Sequence, residues 1–157
     1  MKVEGVDPVS GKKITEEASR LTADDVAEIN RSGISEENLK STIDGLNISA
    51  DAKSVLYEIS KSTVKAGKFI LKIGRKILDI VVSLFRSYPE AGFGLILGSI
   101  LGFLIGAIPI VGFILGPVVG PLFAAFGLIL GFQQDISNKA LAREIAKANR
   151  SFGNLAG

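Results

Sequence analysis

The sequence predicts an all-α membrane protein, and three observations carry that expectation. Ala91–Gln134 contains no charged residue, a run of 44 positions in a chain of 157. Inside it glycine recurs every fourth position, at Gly94, Gly98, Gly102 and Gly106 and again at Gly112, Gly116 and Gly120. Ahead of it, Asp51–Glu90 carries eight basic and four acidic residues on what reads as one long amphipathic helix. About 20 apolar residues cross a bilayer once, and buried soluble helices rarely stay uncharged beyond about 14, so the run reads as two crossings joined by a tight turn.

Charge divides the chain into four zones. Residues 1–48 form an acidic, weakly structured helical head, since Met1–Ala50 holds six basic and ten acidic residues. Asp7-Pro8 and Ser10-Gly11 read as turns. Thr22 suits the N-cap of a helix over Ala23–Asn30, and Ser35 the start of a second helix ending near Gly45. Large apolar side chains are too few there for an independent core. The opening MKVEGVDPVSGKK has no apolar segment of the signal-peptide type.

Residues 49–88 read as a basic amphipathic stem helix capped by Ser49. Leu56, Thr63, Ile70, Ile77 and Leu84 fall on one heptad position, with Ile59, Ala66, Ile73 and Ile80 three residues later. That alternation is a coiled-coil type of seam. Lys61, Lys65, Lys68, Lys72, Arg75 and Lys76 then form a basic back, expected to meet anionic lipid or nucleic acid.

Residues 91–132 read as a glycine-zipper hairpin turning at Pro109. Two helices in lipid gain nothing from ordinary hydrophobic burial, and small residues on one face permit close packing. Gly127 and Gly131 extend the pattern. The surplus of glycines points to contact between copies as well as within the hairpin. Residues 133–157 carry four basic and two acidic residues and read as a short helix with a frayed end. Basic residues flank the hairpin and none lies at its tip, so both termini are expected on one side of the membrane.

The pattern over Ala50–Gly131 resembles the membrane-inserting part of pore-forming colicins, paired-helix membrane proteins exported by some intracellular bacteria, and small phage or viral membrane proteins. No residue's role carries over from that likeness. It implies a hairpin protein that inserts into a membrane and self-assembles into an oligomeric pore or conduit. The alternative is a non-conducting membrane scaffold, anchor or shaper, or a virion component aiding nucleic-acid delivery. The expected setting is a cell inner membrane, a target-cell membrane after export, or a virion. The expected partners are the bilayer, further copies of the chain, and anionic lipid or nucleic acid at the stem.

Catalysis finds no support in the residue types. The chain has no histidine and no cysteine, which removes the commonest general base, metal ligand and thiol nucleophile. Gly67-Lys68 is followed by Phe69, so no phosphate loop is present. Asp24, Asp25 and Glu28 fit a solvated helix face. No enzyme activity, cofactor, metal or small-molecule substrate is expected.

Overall fold

The computed structural model describes residues 1–31, 34–126 and 136–156, with side chains described outside 122–126. It corrects the all-α expectation: among the described residues, seven α-helices accompany a four-stranded antiparallel sheet in the order Lys13–Glu17, Lys2–Val6, Val64–Ala66, Phe69–Leu71.

The sheet begins where the sequence reads as a weakly structured helical head. β1 (Lys2–Val6) pairs antiparallel with β2 (Lys13–Glu17), with Val3 opposite Glu16 and Gly5 opposite Ile14. The reversal is fixed locally. The Asp7 carboxylate accepts from the backbone N–H of Val9 (2.8 Å) and Ser10 (3.2 Å), and Gly11 takes φ +75°. Thr22 caps α1 (Ala23–Asn30) through a reciprocal capping box with Asp25, and Ser35 caps α2 (Glu36–Asp44).

The single stem helix is the second correction. The segment divides into α3 (Ala50–Ser60), β3 (Val64–Ala66), β4 (Phe69–Leu71) and α4 (Ile73–Ser87). β3 and β4 form a hairpin in which Ala66 faces Phe69 across a Gly67-Lys68 turn. Gly67 sits at φ +57° while Lys68 has no positive φ, as a type II′ turn requires. Val64, Ala66 and Leu71 point into the core, whereas Ile70 is 52% exposed. Of the expected seam positions Thr63, Ala66 and Ile70, only Ala66 is buried, so no continuous seam forms.

α5 (Phe93–Ala107) and α6 (Pro109–Phe126) are the expected hairpin, joined by Ile108 alone, with Pro109 at the first helical position. Their surroundings differ from expectation. α3 and β1 pack on α6, and α4 and α7 (Lys139–Arg150) pack on α5. Ile96, Leu97, Ile100, Leu101 and Leu104 of α5 and Ile110, Val111, Ile114, Leu115 and Val119 of α6 are buried in one core with Leu56, Ile59, Ile77 and Leu141. A helix apolar nearly all round suits a protein core as well as a bilayer.

Among the described residues, no helix is long and apolar enough to cross a membrane. The 15 residues of α5 rise only about 22 Å against a hydrocarbon core of about 30 Å. A membrane-embedded hairpin, and with it a membrane, pore or virion setting and a common side for both termini, is thereby unsupported.

The C-terminal end is docked rather than frayed. Phe152 and Leu155 are fully buried, and a 3-10 turn spans Gly153–Leu155. The Asn154 amide donates to the Asp25 carboxylate (3.0 Å), and Arg20 donates to the Gly153 carbonyl (3.4 Å).

Candidate functional site

The glycines of the hairpin separate into two groups. Gly112 is packed: a Cβ built there would lie 2.7 Å from the Ile105 carbonyl oxygen, so this glycine allows the turn end of α5 to approach α6. Gly102, Gly106, Gly116 and Gly120 have no described residue within 4 Å of that position. They do not hold α5 against α6. They form the outer face of the hairpin with exposed Ala107, Pro109, Pro117 and Pro121 and with Phe103, which is 49% exposed. Gly98 is buried and Gly94 half-buried. Gly127 and Gly131 lie outside the described residues.

This outer face is unusual on energetic grounds. Glycine inside a helix costs about 1 kcal/mol relative to alanine. Gly74, at the α3–α4 crossing, shows what such a glycine can provide. A Cβ there would fall 1.7 Å from the Ile59 carbonyl oxygen, so only glycine lets the two helices cross. The four outer glycines serve no such approach within the chain among the described residues. The face also carries no charged residue, where soluble surfaces normally mix both signs.

The basic residues of the expected stem scatter. Lys61 is the C-cap of α3, Lys65 lies on β3 opposite Ile70, and Lys68 sits in the hairpin turn with its ammonium 5.6 Å from the Phe69 ring centroid. Lys72 is the N-cap residue of α4. Arg75 donates to the Ile34 carbonyl (2.7 and 3.3 Å) and Lys76 to the Arg31 carbonyl (3.0 Å), which ties α4 to the α1–α2 connection. Lys61, Lys72 and Arg75 do converge. With Lys40, Tyr57 and Thr63 they line a cleft of about 960 Å³ between α2, α3 and the start of α4, which also holds Glu36, Glu37 and Glu58. The Tyr57 hydroxyl donates to the Asp44 carboxylate, and that hydrogen bond pushes the phenol up to about 12.

One functional feature was invisible to sequence reasoning: the sheet edges. One side chain meets the outer edge of β4 and the residue after it, because the Asn30 amide donates to the Ile70 carbonyl (2.9 Å) and accepts from the Lys72 N–H (2.7 Å). The edge of β2 has no such cover among the described residues. No local signal in Asn30 announces its role, since its partners lie 40 and 42 residues away.

No group of three or more histidine, cysteine, aspartate or glutamate residues could hold a metal ion among the described residues. Comparisons with family models, curated proteins and solved structures yield no match to this chain.

Proposed function

We propose that this protein is a non-catalytic, self-assembling structural component whose copies pack through the outer face of the α5–α6 hairpin. The observation that carries the reading is the empty space over Gly102, Gly106, Gly116 and Gly120. Each is a helical glycine with nothing to accommodate among the described residues of its own chain, and an incoming helix is the occupant that explains it. Close approach of helical backbones over small residues gains dispersion contacts along the whole face. Exposed Phe103 adds an aromatic anchor of the kind that dominates interface energetics.

The test is Gly102→Ile in the full chain. The side chain enters open space, so thermal unfolding of the single chain stays unchanged or improves. Sedimentation should show the assembly lost. A wild-type chain that remains monomeric, or a variant that assembles equally well, ends this reading.

A second reading has its own support. Lys40, Lys61, Lys72 and Arg75 line one cleft at the N-terminal end of α4, a helix without a side-chain cap. Helix N-termini favour anions. A phosphate-bearing polymer such as nucleic acid fits that chemistry. Its binding should weaken as salt rises and should fall when Lys61 and Lys72 are changed to Glu, while Lys65→Glu has little effect.

A further inference from the structure

We infer that the exposed edge of β2 pairs with the β2 of a second copy, in antiparallel register about a two-fold axis through Thr15. The inference concerns a surface different from the hairpin face and stands independently of it.

The register of the sheet decides which groups are available. Met1 and Ala18 exchange backbone hydrogen bonds (2.8 and 2.9 Å), and Asp7 donates to the Lys12 carbonyl (2.8 Å). In an antiparallel ladder bonded pairs recur every second residue. Ile14, Glu16 and Ala18 therefore turn their N–H and C=O groups toward β1. Lys13, Thr15 and Glu17 turn theirs outward, and all three residues are exposed. Those outward groups have no partner among the described residues. At the opposite edge of the same sheet, Asn30 holds the Ile70 carbonyl of β4 and the N–H of the following Lys72. One edge is partly covered by a side chain, and the other has no such cover among the described residues.

The side chains on the open edge select the occupant. Lys13 and Glu17 stand two residues either side of Thr15. A second copy running antiparallel about Thr15 places Lys13 opposite the partner's Glu17, Glu17 opposite the partner's Lys13, and Thr15 opposite the partner's Thr15. Directly opposed charges of opposite sign and paired threonines both stabilise neighbouring strands. The edge is thus complementary to itself, which is what an isologous two-fold interface needs. The current partners of both charges compete weakly. Lys13 lies 3.9 Å from Glu4, Glu17 lies 2.9 Å from the Met1 ammonium, and the Lys13 and Glu17 side chains are 69% and 66% exposed. Exposed pairs of this kind contribute little. Pairing joins two four-stranded sheets into one continuous sheet.

The experiment measures self-association of the full chain by sedimentation, with amide hydrogen exchange at Lys13, Thr15 and Glu17. Protection of those amides should rise with chain concentration alongside a dimer. Lys13→Glu and Glu17→Lys should each weaken that dimer about tenfold, because both opposed pairs become like-charged. Mixing the two variants should restore dimerisation, since the wholly acidic edge of one then meets the wholly basic edge of the other. Thr15→Pro removes an outward N–H, which an edge strand tolerates, and should abolish the dimer while leaving the chain folded. Gly102→Ile should leave the protection of these amides intact, which separates this interface from the hairpin face. A mixture of the charge variants that fails to dimerise overturns the proposal. So does a chain whose β2 amides stay unprotected at every concentration, or whose protection is independent of concentration, the mark of a different strand on the edge.

Discussion

Gly74 and the outer glycines of the hairpin look alike in the sequence, as glycines inside helices with apolar neighbours, yet they occupy opposite physical settings. At the α3–α4 crossing the space for a Cβ is already filled by the Ile59 carbonyl. On the outer face of α5–α6 no described residue fills the same space at Gly102, Gly106, Gly116 and Gly120. Glycine at the crossing is demanded by the fold of one chain. Glycine on the outer face weakens that chain's helices, and the proposed packing of a second copy against that face is what would offset the cost.

The largest expected effect tests the crossing. Gly74→Ala must push α3 from α4 or distort the helix start, because the clash is with backbone. We expect a loss of about 3 kcal/mol, at the upper end for overpacking, read by denaturant unfolding. A loss under about 0.5 kcal/mol, the range of an ordinary surface change, would erase the contrast.

Asn30→Ala comes next. It removes both hydrogen bonds that close the β4 edge and leaves the Ile70 carbonyl and Lys72 N–H open. Two neutral hydrogen bonds correspond to about 2 kcal/mol. Faster amide exchange at Lys72, with the Thr15 amide unchanged, would show that the two edges are managed separately.

Gly102→Ala should move the other way. With open space around it, alanine should raise single-chain stability by about 0.5–1 kcal/mol. The same change should loosen assembly. Stability and assembly moving together would mean that the outer face is not an interface.

The smallest effect is the pH response of the docked C-terminal end. The hydrogen bond from Asn154, then that from the Thr22 backbone, holds the Asp25 carboxyl below its ordinary value. Its stabilising contribution is therefore present above the ordinary carboxylate pKa and fades as pH falls through the lowered one. An NMR titration should find Asp25 below 3.8 in the wild type and closer to that value in Asn154→Ala.

The strands show where local reading stops. Val64–Leu71 satisfies a heptad seam and a period-two strand at once, and eight residues cannot separate them. The deciding detail is Gly67 followed by one further residue, a two-residue hairpin loop flanked by inward Val64, Ala66, Phe69 and Leu71. β1 carries Gly5 where Ile110 and Ile114 of α6 press on the strand, and a Cβ there would stand 2.7 Å from Ile114 Cγ2. Nothing within residues 1–17 announces that contact. The convergence of Lys61, Lys72 and Arg75 was half legible: their charge stood in the sequence, but the break between α3 and α4 that groups them did not.

By itself the sequence determined the caps and turns of α1, α2 and α3, the tight reversal at Pro109, and the fact that most large apolar side chains between Phe93 and Val119 are kept from water. These follow from interactions within a few residues and from the cost of exposing apolar area. Tertiary structure alone decided what shields that stretch, which glycines are packed and which are bare, and which sheet edge is closed. An apolar residue records that water is excluded and not what excludes it, and protein and lipid are equally apolar neighbours. The answer came from α3, α4, α7 and β1, which pack against the hairpin from both sides of it in the chain.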